Sequence, residues 1–252
     1  MKIALITGAT SGIGRAAAFK FSENGYNVII TGRRKERLNS IAREIRKKSG
    51  AQVHPLCFDI RSMKEVQKSV ASLPGQWKKI DVLVNNAGLA AGLSDIQDGN
   101  AGDWETMIDT NIKGLLYISK AVIPLFIKNG TGHIINIGSI AGKETYAKGN
   151  VYCATKHAVD ALTKSMRIDL LSHGIRVTGI HPGAVETEFS LVRFHGDEQK
   201  AKNVYRGFTP LSADDVADAI CWAASRPAHV NINEMVIMPA AQANTQHLNR
   251  KV

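Results

Sequence analysis

The chain has 252 residues, of which 44% are hydrophobic and 21% are charged. This length and composition suit a globular domain with a sizeable core. Because the sequence has no linker, repeat or low-complexity tract, we predict a single domain over residues 1–252. It has no run of about 18 apolar residues, and a glycine at position 8 comes too early for a signal-peptide core. We therefore predict a soluble, cytoplasmic protein with no membrane partner.

The net charge of +10 favours binding of anionic partners. Many basic residues lie in the segment 33–48, which has the pattern of an amphipathic surface helix, and no aromatic stripe for RNA accompanies them. We therefore expect no nucleic-acid partner and assign part of the excess charge to an anionic cofactor and substrate. The three cysteines form no Cys-x-x-Cys pair and the eight histidines lack metal-ligand spacing, so we predict no metal.

Apolar stretches alternate with helical patterns along the whole chain. The predicted strands are residues 2–7, 27–31, 53–58, 80–84, 133–137, 175–181 and 234–238. The predicted helices run from the glycine turn at 8–14 to about 24, then over 35–48, 61–73, 103 to about 128, 150–173 and 211 to about 225. Continuous apolar strands predict a doubly wound (Rossmann) α/β fold, a parallel sheet of about seven strands with helices on both faces. Ligands of such folds bind beyond the carboxyl ends of the strands.

The turn after the first strand has the spacing Gly8-x-x-x-Gly12-x-Gly14 and leads into a helix. Without side chains at Gly12 and Gly14, a phosphate can approach the backbone N–H groups at the helix N-terminus. A glycine turn alone is often only a turn, but its position between strand and helix predicts a phosphate site.

The second strand ends at Arg33 and Arg34, where NAD-binding proteins carry an acidic residue for the ribose hydroxyl. Guanidinium groups instead suit a 2′-phosphate, because arginine forms charge-assisted bidentate bonds to phosphate oxygens. This pair therefore favours NADP, although either arginine also fits as the start of the basic helix. Asp59, after the third strand, has two open roles: accepting a bond from the adenine amino group, or capping the following helix.

Tyr152 and Lys156 are four residues apart in a predicted helix and project from one face. A phenol beside a fixed cation is a candidate acid or base, because the positive charge lowers the pKa of tyrosine from about 10. Ser139 ends the fifth strand, where its hydroxyl would hold a substrate oxygen against the phenol. Taken alone, the pair also has a non-catalytic interpretation, in which the tyrosine is an amphipathic surface residue and the lysine is solvated.

Along the chain occur, in this order, Thr7-Gly8-x-x-x-Gly12-x-Gly14, Asn85-Asn86-Ala87-Gly88, Asn111, Ser139, Tyr152-x-x-x-Lys156 and Pro182-Gly183. This order resembles the short-chain dehydrogenase/reductase superfamily over nearly the whole chain. The resemblance implies that Tyr152, Lys156 and Ser139 are catalytic and that Asn111 disturbs its helix and holds a relay water near the lysine. It also implies cofactor contacts from Gly8, Thr10, Ser11, Gly12, Ile13, Gly14, Arg33, Arg34, Asp59, Ile60, Asn86, Ala87, Gly88, Tyr152, Lys156, Pro182, Gly183, Val185 and Thr187.

Residues 31–38, 103–111, 192–197 and 227–233 are more closely similar to the NADP-dependent 3-hydroxy acid dehydrogenases. These enzymes act on serine, allo-threonine and related acids, and they reduce malonic semialdehyde. The similarity implies hydride transfer between NADP and the hydroxyl-bearing carbon of a short 3-hydroxy acid. It also implies a substrate loop at about 188–210 and a C-terminal segment, 231–246, that packs between the subunits of a homotetramer.

Ser139 and Tyr152 are expected to bind the substrate oxygen, and Arg193 is the candidate for a substrate carboxylate. Lys143 and Lys148 compete for that role, and a solvated Arg193 is the other interpretation. Segments 142–148 and 184–187, which flank the predicted pocket, depart from the pattern of the hydroxy acid dehydrogenases. Two alternatives therefore stay open: a reductase of apolar ketones, keto-steroids or quinones at the same site, and a non-enzymatic NADP-sensing scaffold.

Overall fold

The computed structural model describes residues 2–251, and within them seven strands form one parallel sheet in the order β3-β2-β1-β4-β5-β6-β7. The strands are β1 (Ile3–Ile6), β2 (Asn27–Gly32), β3 (Val53–Cys57), β4 (Val82–Asn85), β5 (Gly132–Ile137), β6 (Ile175–Pro182) and β7 (Glu234–Ile237). The predicted doubly wound fold is confirmed. Because the order reverses between β3 and β4, with β1 beside β4, a crevice forms at the carboxyl ends of these two strands.

Helices cover both faces of the sheet. They are α1 (Gly12–Glu23), α2 (Lys35–Ser49), α3 (Met63–Ala71), α4 (Ala101–Ile108), α5 (Leu115–Asn129), α6 (Asn150–Asp169), α7 (Phe189–Arg193), α8 (Glu198–Asn203) and α9 (Ala213–Ala224). Helices α7 and α8 lie within the segment 188–210, for which the sequence predicts only a loop. Their few apolar positions give no clear helical period, so tertiary contacts decide their conformation.

Strand residues alternate between two hydrophobic layers. Ile6 and Ile30 pack in the layer that contains residues of α1, α2 and α9, whereas Leu5 and Ile29 pack in the layer that contains residues of α3, α5 and α6. Leu5 pairs in register with Ile29 of β2 and with Leu83 of β4. All five side chains are completely buried, as expected for strands covered on both faces.

The predicted helix at 103–128 is interrupted. A π-helical turn, Asp109–Gly114, separates α4 from α5 and contains Asn111. By length and composition the stretch Ala101–Asn129 could cross a membrane, with 44% of its apolar window buried. However, α5 packs its buried face, which includes Ile118 and Phe126, into the core layer beside the sheet. A core helix of this kind satisfies the same criteria of length and composition.

Asn85 and Asn86, at the end of β4, point in opposite directions. Asn85 is buried below the sheet edge and donates to Ser119 Oγ at 2.9 Å and to Asn136 Oδ1 at 2.8 Å. Asn86 faces the turn after β1, where its Nδ2 donates to the carbonyl oxygen of Thr7 at 2.8 Å. Only Asn86 is therefore positioned to take part in a ligand site.

Candidate active site

A cavity of about 380 Å³ lies at the carboxyl edge of the sheet. Its wall combines the turn after β1, the ends of β4, β5 and β6, part of α6 and the segment 188–210. The predicted site residues that line it are Gly8, Ser11, Gly12, Ile13, Asn86, Ala87, Gly88, Ser139, Tyr152, Lys156, Pro182, Gly183, Val185, Thr187 and Arg193. The predicted site residues outside this lining are Thr10, Gly14, Arg33, Arg34, Asp59, Ile60 and Asn111.

Ser139, Tyr152 and Lys156 are buried in one part of the cavity wall. Tyr152 and Lys156 lie one turn apart in the first two turns of α6. Ser139 follows β5, and its Oγ accepts a hydrogen bond from the Ala141 N–H at 3.1 Å. The Lys156 ammonium donates to the carbonyl oxygen of Ile137 at 2.9 Å. The structure thus brings together the three side chains that the sequence indicates for proton transfer.

Burial dominates the protonation of Tyr152 and Lys156. It raises the pKa of the Tyr152 phenol, and Tyr146 raises it further, while the interactions with Ser139 and Arg193 lower it. Burial also lowers the pKa of Lys156 to about 8. That Lys156 lowers the pKa of Tyr152 stays a prediction, because burial outweighs the other influences on this phenol in the chain alone. The phenol is protonated at neutral pH, which is the state that donates a proton to a carbonyl substrate.

Asn111 forms hydrogen bonds both to the loop after β4 and to helix α6, which carries Tyr152 and Lys156. Its Oδ1 accepts from the Leu89 N–H at 2.8 Å, and its Nδ2 donates to the Leu89 carbonyl oxygen at 2.8 Å and to Thr155 Oγ1 at 3.0 Å. A Cβ at Gly88 would lie 3.2 Å from Asn111 Oδ1 and 3.6 Å from Lys156 Nζ. The π-helical turn therefore brings Asn111 close to Gly88 and Lys156, without a direct bond between the two side chains among the described residues.

Helix α1 begins at the cavity without a side-chain cap. Its N-cap residue, Ser11, makes no side-chain cap hydrogen bond, and the first turn contains no acidic residue. Helices α3 and α9, in contrast, are capped by Ser62 and Ser212. Unpaired N–H groups at the positive end of a helix dipole favour an anion. The residues present therefore fit a phosphate group at the start of α1.

The glycine turn is held by β4. A Cβ at Gly14 would lie 2.4 Å from Asn86 Nδ2 and 2.5 Å from the carbonyl oxygen of Gly8, so a side chain at this position would displace one of them. Gly8 and Gly12 both have positive φ, at 66° and 52°, a region that residues with a side chain rarely adopt. These constraints account for the glycine spacing and fix the backbone N–H groups below the cavity.

Arg34 connects three parts of the site. Its Nε and Nη2 donate to Thr10 Oγ1 at 3.1 and 2.8 Å, and its Nη2 donates to Ser11 Oγ at 2.9 Å. On its other side, Nη1 pairs with a Glu188 carboxylate oxygen at 2.9 Å, and Arg37 pairs with the second oxygen of Glu188 at 2.6 Å. Arg34 therefore contacts both the glycine turn and the start of the segment 188–210.

Arg33 is more open than Arg34, with 59% of its side chain exposed and Asp59 4.0 Å away. The carboxylate of Asp59 is bound closely by Arg61 at 2.6 Å, and this hydrogen bond is the main reason that the pKa of Asp59 is lowered. The N-cap of α3 is Ser62, so the alternative role of Asp59 as the cap of this helix is wrong.

Arg193, at the end of α7, provides a positive charge in the cavity wall beside Tyr152. Its Nη2 donates to the Tyr146 hydroxyl at 2.7 Å, and its Nε donates to the Gly92 carbonyl oxygen at 3.4 Å. The guanidinium carbon lies 5.5 Å from the centre of the Tyr152 ring. Both hydrogen-bond partners are uncharged, so the charge of Arg193 is not neutralised by them.

A family model described as short chain dehydrogenase matches residues 2–197, which include the glycine turn, Ser139, Tyr152 and Lys156. The chain belongs to the short chain dehydrogenase family. The family resemblance predicted from the sequence is therefore confirmed, and the fold and the arrangement of these side chains agree with it.

The relatives of this short-chain dehydrogenase include enzymes named for hydroxy acids, for serine and for sulfoacetaldehyde. It is 50% identical over 242 residues, 96% of each chain, to the NADP-dependent 3-hydroxy acid dehydrogenase YdfG of Salmonella typhi. It is 48% identical to sulfoacetaldehyde reductase 2 of Chromohalobacter salexigens, over 96% of this chain and 95% of that protein. The closed form of serine dehydrogenase complexed with NADP+ has a TM-score of 0.92 and 45% identity, with 99% of each chain covered. NADP, the cofactor that the sequence predicts, is also the cofactor named for the 3-hydroxy acid dehydrogenase and for the serine dehydrogenase complex.

Lys143 and Lys148, the predicted competitors of Arg193, do not line the cavity of this short-chain dehydrogenase. The Lys143 ammonium instead pairs with Asp160 at 2.8 Å and with Glu234 at 2.6 Å. Lys148 pairs with Asp95 at 3.6 Å, and half of its side chain is exposed. These ion pairs lie outside the cavity lining, so Arg193 is the best placed of the three for a substrate carboxylate.

Several residues of the cavity wall were not predicted. Phe189 packs against Tyr152 with ring centroids 5.6 Å apart, and the Tyr205 hydroxyl donates to the Val185 carbonyl oxygen at 2.8 Å. Gln242 Oε1 accepts from the Ala184 N–H at 2.8 Å. The aromatic residues of the segment 188–210 were an available signal for the first two, whereas the sequence offered none for Gln242.

Proposed function

We propose that this chain is an NADP-dependent oxidoreductase that transfers a hydride between NADP and the hydroxyl-bearing carbon of a short 3-hydroxy acid. The observation that carries the proposal is Arg193, whose charge faces the cavity beside Tyr152 with only uncharged hydrogen-bond partners. An anionic group on the substrate would provide the missing counter-charge. The names of the relatives, which include a 3-hydroxy acid dehydrogenase and a serine dehydrogenase, support the same substrate class.

The proton-transfer residues are Ser139, Tyr152 and Lys156. Tyr152 donates its phenolic proton to the carbonyl oxygen during reduction and accepts the hydroxyl proton during oxidation. Ser139 holds the same substrate oxygen by a hydrogen bond, and the charge of Lys156 supports Tyr152 when its phenolate forms. Asn111 holds the loop after β4 against α6 and borders the path of a relay water near Lys156. NADP, when bound, supplies or accepts the hydride.

The cofactor would lie across the carboxyl edge of the sheet. The N–H groups at the start of α1 suit the pyrophosphate, and Arg33 and Arg34 suit the 2′-phosphate. Asp59 and Ile60 would border the adenine, and Ala87 and Gly88 would border the ribose beyond it. We assign the nicotinamide end to Tyr152, Lys156, Pro182, Gly183, Val185 and Thr187, which line the cavity.

At the substrate end, Arg193 and Tyr146 form one polar group. The Tyr146 hydroxyl accepts from Arg193, which leaves its own proton free to donate to an anionic oxygen. Phe189 packs edge-on against the Tyr152 ring and adds an apolar surface beside the reacting atoms. A short acid would therefore lie with its carboxylate on Arg193 and its hydroxyl on Ser139 and Tyr152.

A sulfonate substrate is a second candidate, favoured by the 48% identity to a sulfoacetaldehyde reductase. Malonic semialdehyde and sulfoacetaldehyde both separate an aldehyde from an anionic group by one methylene. Because Arg193 pairs with carboxylate and sulfonate oxygens alike, their relative rates must be measured. An apolar ketone, by contrast, would leave the Arg193 charge without a counter-ion.

The test compares wild-type protein with Arg193→Met and with the matched control Lys148→Met, whose charge lies outside the cavity lining. Initial rates are measured with NADP+ and NAD+ for serine, 3-hydroxypropionate and an apolar alcohol, and with NADPH and NADH for malonic semialdehyde and sulfoacetaldehyde. We expect NADP-dependent turnover of the acids, and a KM raised roughly 10- to 100-fold by Arg193→Met, the cost of a charge-assisted hydrogen bond. Turnover of the apolar alcohol alone, or an unchanged KM in Arg193→Met, would contradict the proposal.

We further propose that residues 1–252 form one domain, that 188–210 is its substrate loop, and that four chains assemble in the cytoplasm. Exposed apolar side chains support association: Ile168 and Leu171 are each 75% exposed, and Trp222 is 46% exposed. Light scattering of the purified chain measures the mass directly. A mass other than four times 27.3 kDa would contradict the tetramer.

A further inference from the structure

A cluster of charged and titratable groups lies behind Ser139, outside the cavity lining. It consists of Asp160 on α6, His181 on β6 and Glu234 on β7, together with the Lys143 ammonium. Lys143 Nζ lies 2.8 Å from Asp160 Oδ1 and 2.6 Å from Glu234 Oε2, and His181 Nε2 lies 3.7 Å from the same oxygen of Asp160. None of the four is used in the proposed reaction.

His181 is the feature that an ordinary ion-pair cluster does not explain. Its side chain is 1% exposed, and within residues 2–251 the ring has a hydrogen bond to the Ser139 backbone but none of ordinary geometry at Nε2, which lies 3.7 Å from Asp160 Oδ1. A buried polar group without a partner is costly and rare in native proteins. A neutral imidazole with a free nitrogen is a metal ligand that needs no deprotonation.

We infer that Asp160, His181 and Glu234 form a binding site for a divalent transition-metal ion such as Zn²⁺, and that the ion displaces the Lys143 ammonium. One ligand atom of each residue lies within 4.8 Å of those of the other two. Two carboxylates and one imidazole suit Zn²⁺ and related first-row ions, because hard cations such as Mg²⁺ prefer oxygen ligands alone. This inference does not depend on the proposed reaction.

The charges at the cluster explain how a cation is accepted there. Asp160 Oδ2 is held by Lys164 at 2.8 Å, which leaves Oδ1 directed at Lys143 and His181. Lys143 Nζ, which bridges Asp160 and Glu234, occupies the position of a cation between the two carboxylates. Its removal would leave two negative charges beside a neutral imidazole, and a divalent ion neutralises both. Glu234, which is 47% exposed, provides the route from solvent.

Zinc titration of purified, EDTA-treated protein by calorimetry tests the inference. We expect wild-type protein to bind one Zn²⁺ per chain at this site and to bind Mg²⁺ more weakly. Glu234→Gln and His181→Asn each remove a ligand and should weaken Zn²⁺ binding by roughly 10- to 100-fold, at least the effect of losing an outer-shell partner. Lys143→Met removes the competing ammonium from a partly buried ion pair and should strengthen binding by roughly tenfold.

Glu198→Gln is the matched control, because Glu198 is an exposed carboxylate in an ion pair with Lys202, on a different element. It should leave the affinity unchanged. Glu234→Gln keeps the test valid if His181→Asn does not fold, because Glu234 lies at the surface. The inference is overturned if wild-type protein binds no Zn²⁺, if only Lys143→Met binds it, or if Glu234→Gln binds it as tightly as wild type.

Discussion

Replacing Lys156 by methionine should change how stability depends on pH. Lys156 is buried in the cavity wall, and its pKa falls from 10.5 to about 8 because burial disfavours the charged form. Between these two pKa values the unfolded chain binds more protons than the folded chain. The free energy of unfolding therefore rises with pH in this window. Methionine has a similar length and no charge, so the variant lacks this contribution.

The magnitude follows from the two pKa values. Their difference corresponds to roughly 3 kcal/mol of destabilisation at pH 7, where both states carry the charge. Between pH 7 and pH 10 the folded chain loses this proton, and the free energy of unfolding rises by roughly 2.5 kcal/mol as a result. The variant also loses the hydrogen bond from Lys156 to the Ile137 carbonyl oxygen, at a cost of about 1–3 kcal/mol. That second cost does not depend on pH, so the pH dependence isolates the buried charge.

The assay is urea unfolding at pH 7, 8, 9 and 10 and at one fixed protein concentration, which matters if subunits dissociate. From pH 7 to pH 10 the free energy of unfolding of wild-type protein should rise by roughly 2–3 kcal/mol more than that of Lys156→Met. Lys202→Met, a change at a lysine that is 75% exposed, is the control and should follow wild type. Parallel curves for wild type and Lys156→Met would refute the reasoning, because they would mean that Lys156 keeps its ordinary pKa in the folded chain.

Three further predictions concern the proposed reaction. Tyr152→Phe should lower kcat by roughly two to four orders of magnitude, the size of a general acid–base contribution, with an unchanged Kd for NADPH by fluorescence titration. Arg33→Ala should weaken NADPH binding by roughly 10- to 100-fold and leave NADH unchanged; equal losses would remove the 2′-phosphate argument. Glu188→Gln removes a carboxylate that competes for Arg34, so NADPH should bind roughly two- to fivefold tighter, within the 0.2–1 kcal/mol typical of an exposed ion pair. Glu198→Gln is the control for this change. Weaker binding of NADPH by Glu188→Gln would contradict the idea that Glu188 competes with the cofactor for Arg34.

The sheet and the glycine turn could be predicted because their signals are local. Each strand is a short apolar run, and Gly8, Gly12 and Gly14 are required by backbone conformation and by contact with Asn86. The interruption of the helix at Asn111 was visible only as a poor helix former at an interior position. A π-helical turn adds a residue to the helical repeat, so a search for a 3.6-residue period cannot locate it.

Side-chain pairing was harder to predict, because the partners are distant in the sequence. Lys143 meets Glu234 across 91 residues, and Arg34 meets Glu188 across 154. The strand pattern indicates which elements are neighbours but not which charges pair. The proximity of Asp160, His181 and Glu234 was not predicted for the same reason, since these residues lie on separate elements and have no common spacing.

The charges around the cavity explain which cations are available for ligands. Lys143 and Lys148 each have a carboxylate partner, which compensates their charge in the chain itself. Lys156 and Arg193 instead bond to backbone carbonyls and, for Arg193, to a phenol. A buried or half-buried cation with uncharged partners lowers stability unless a ligand compensates it. Their positions with Tyr152 in the wall of one cavity therefore indicate where anionic or electron-rich parts of cofactor and substrate should lie, and the stability cost of Lys156 is the measurable sign of that arrangement.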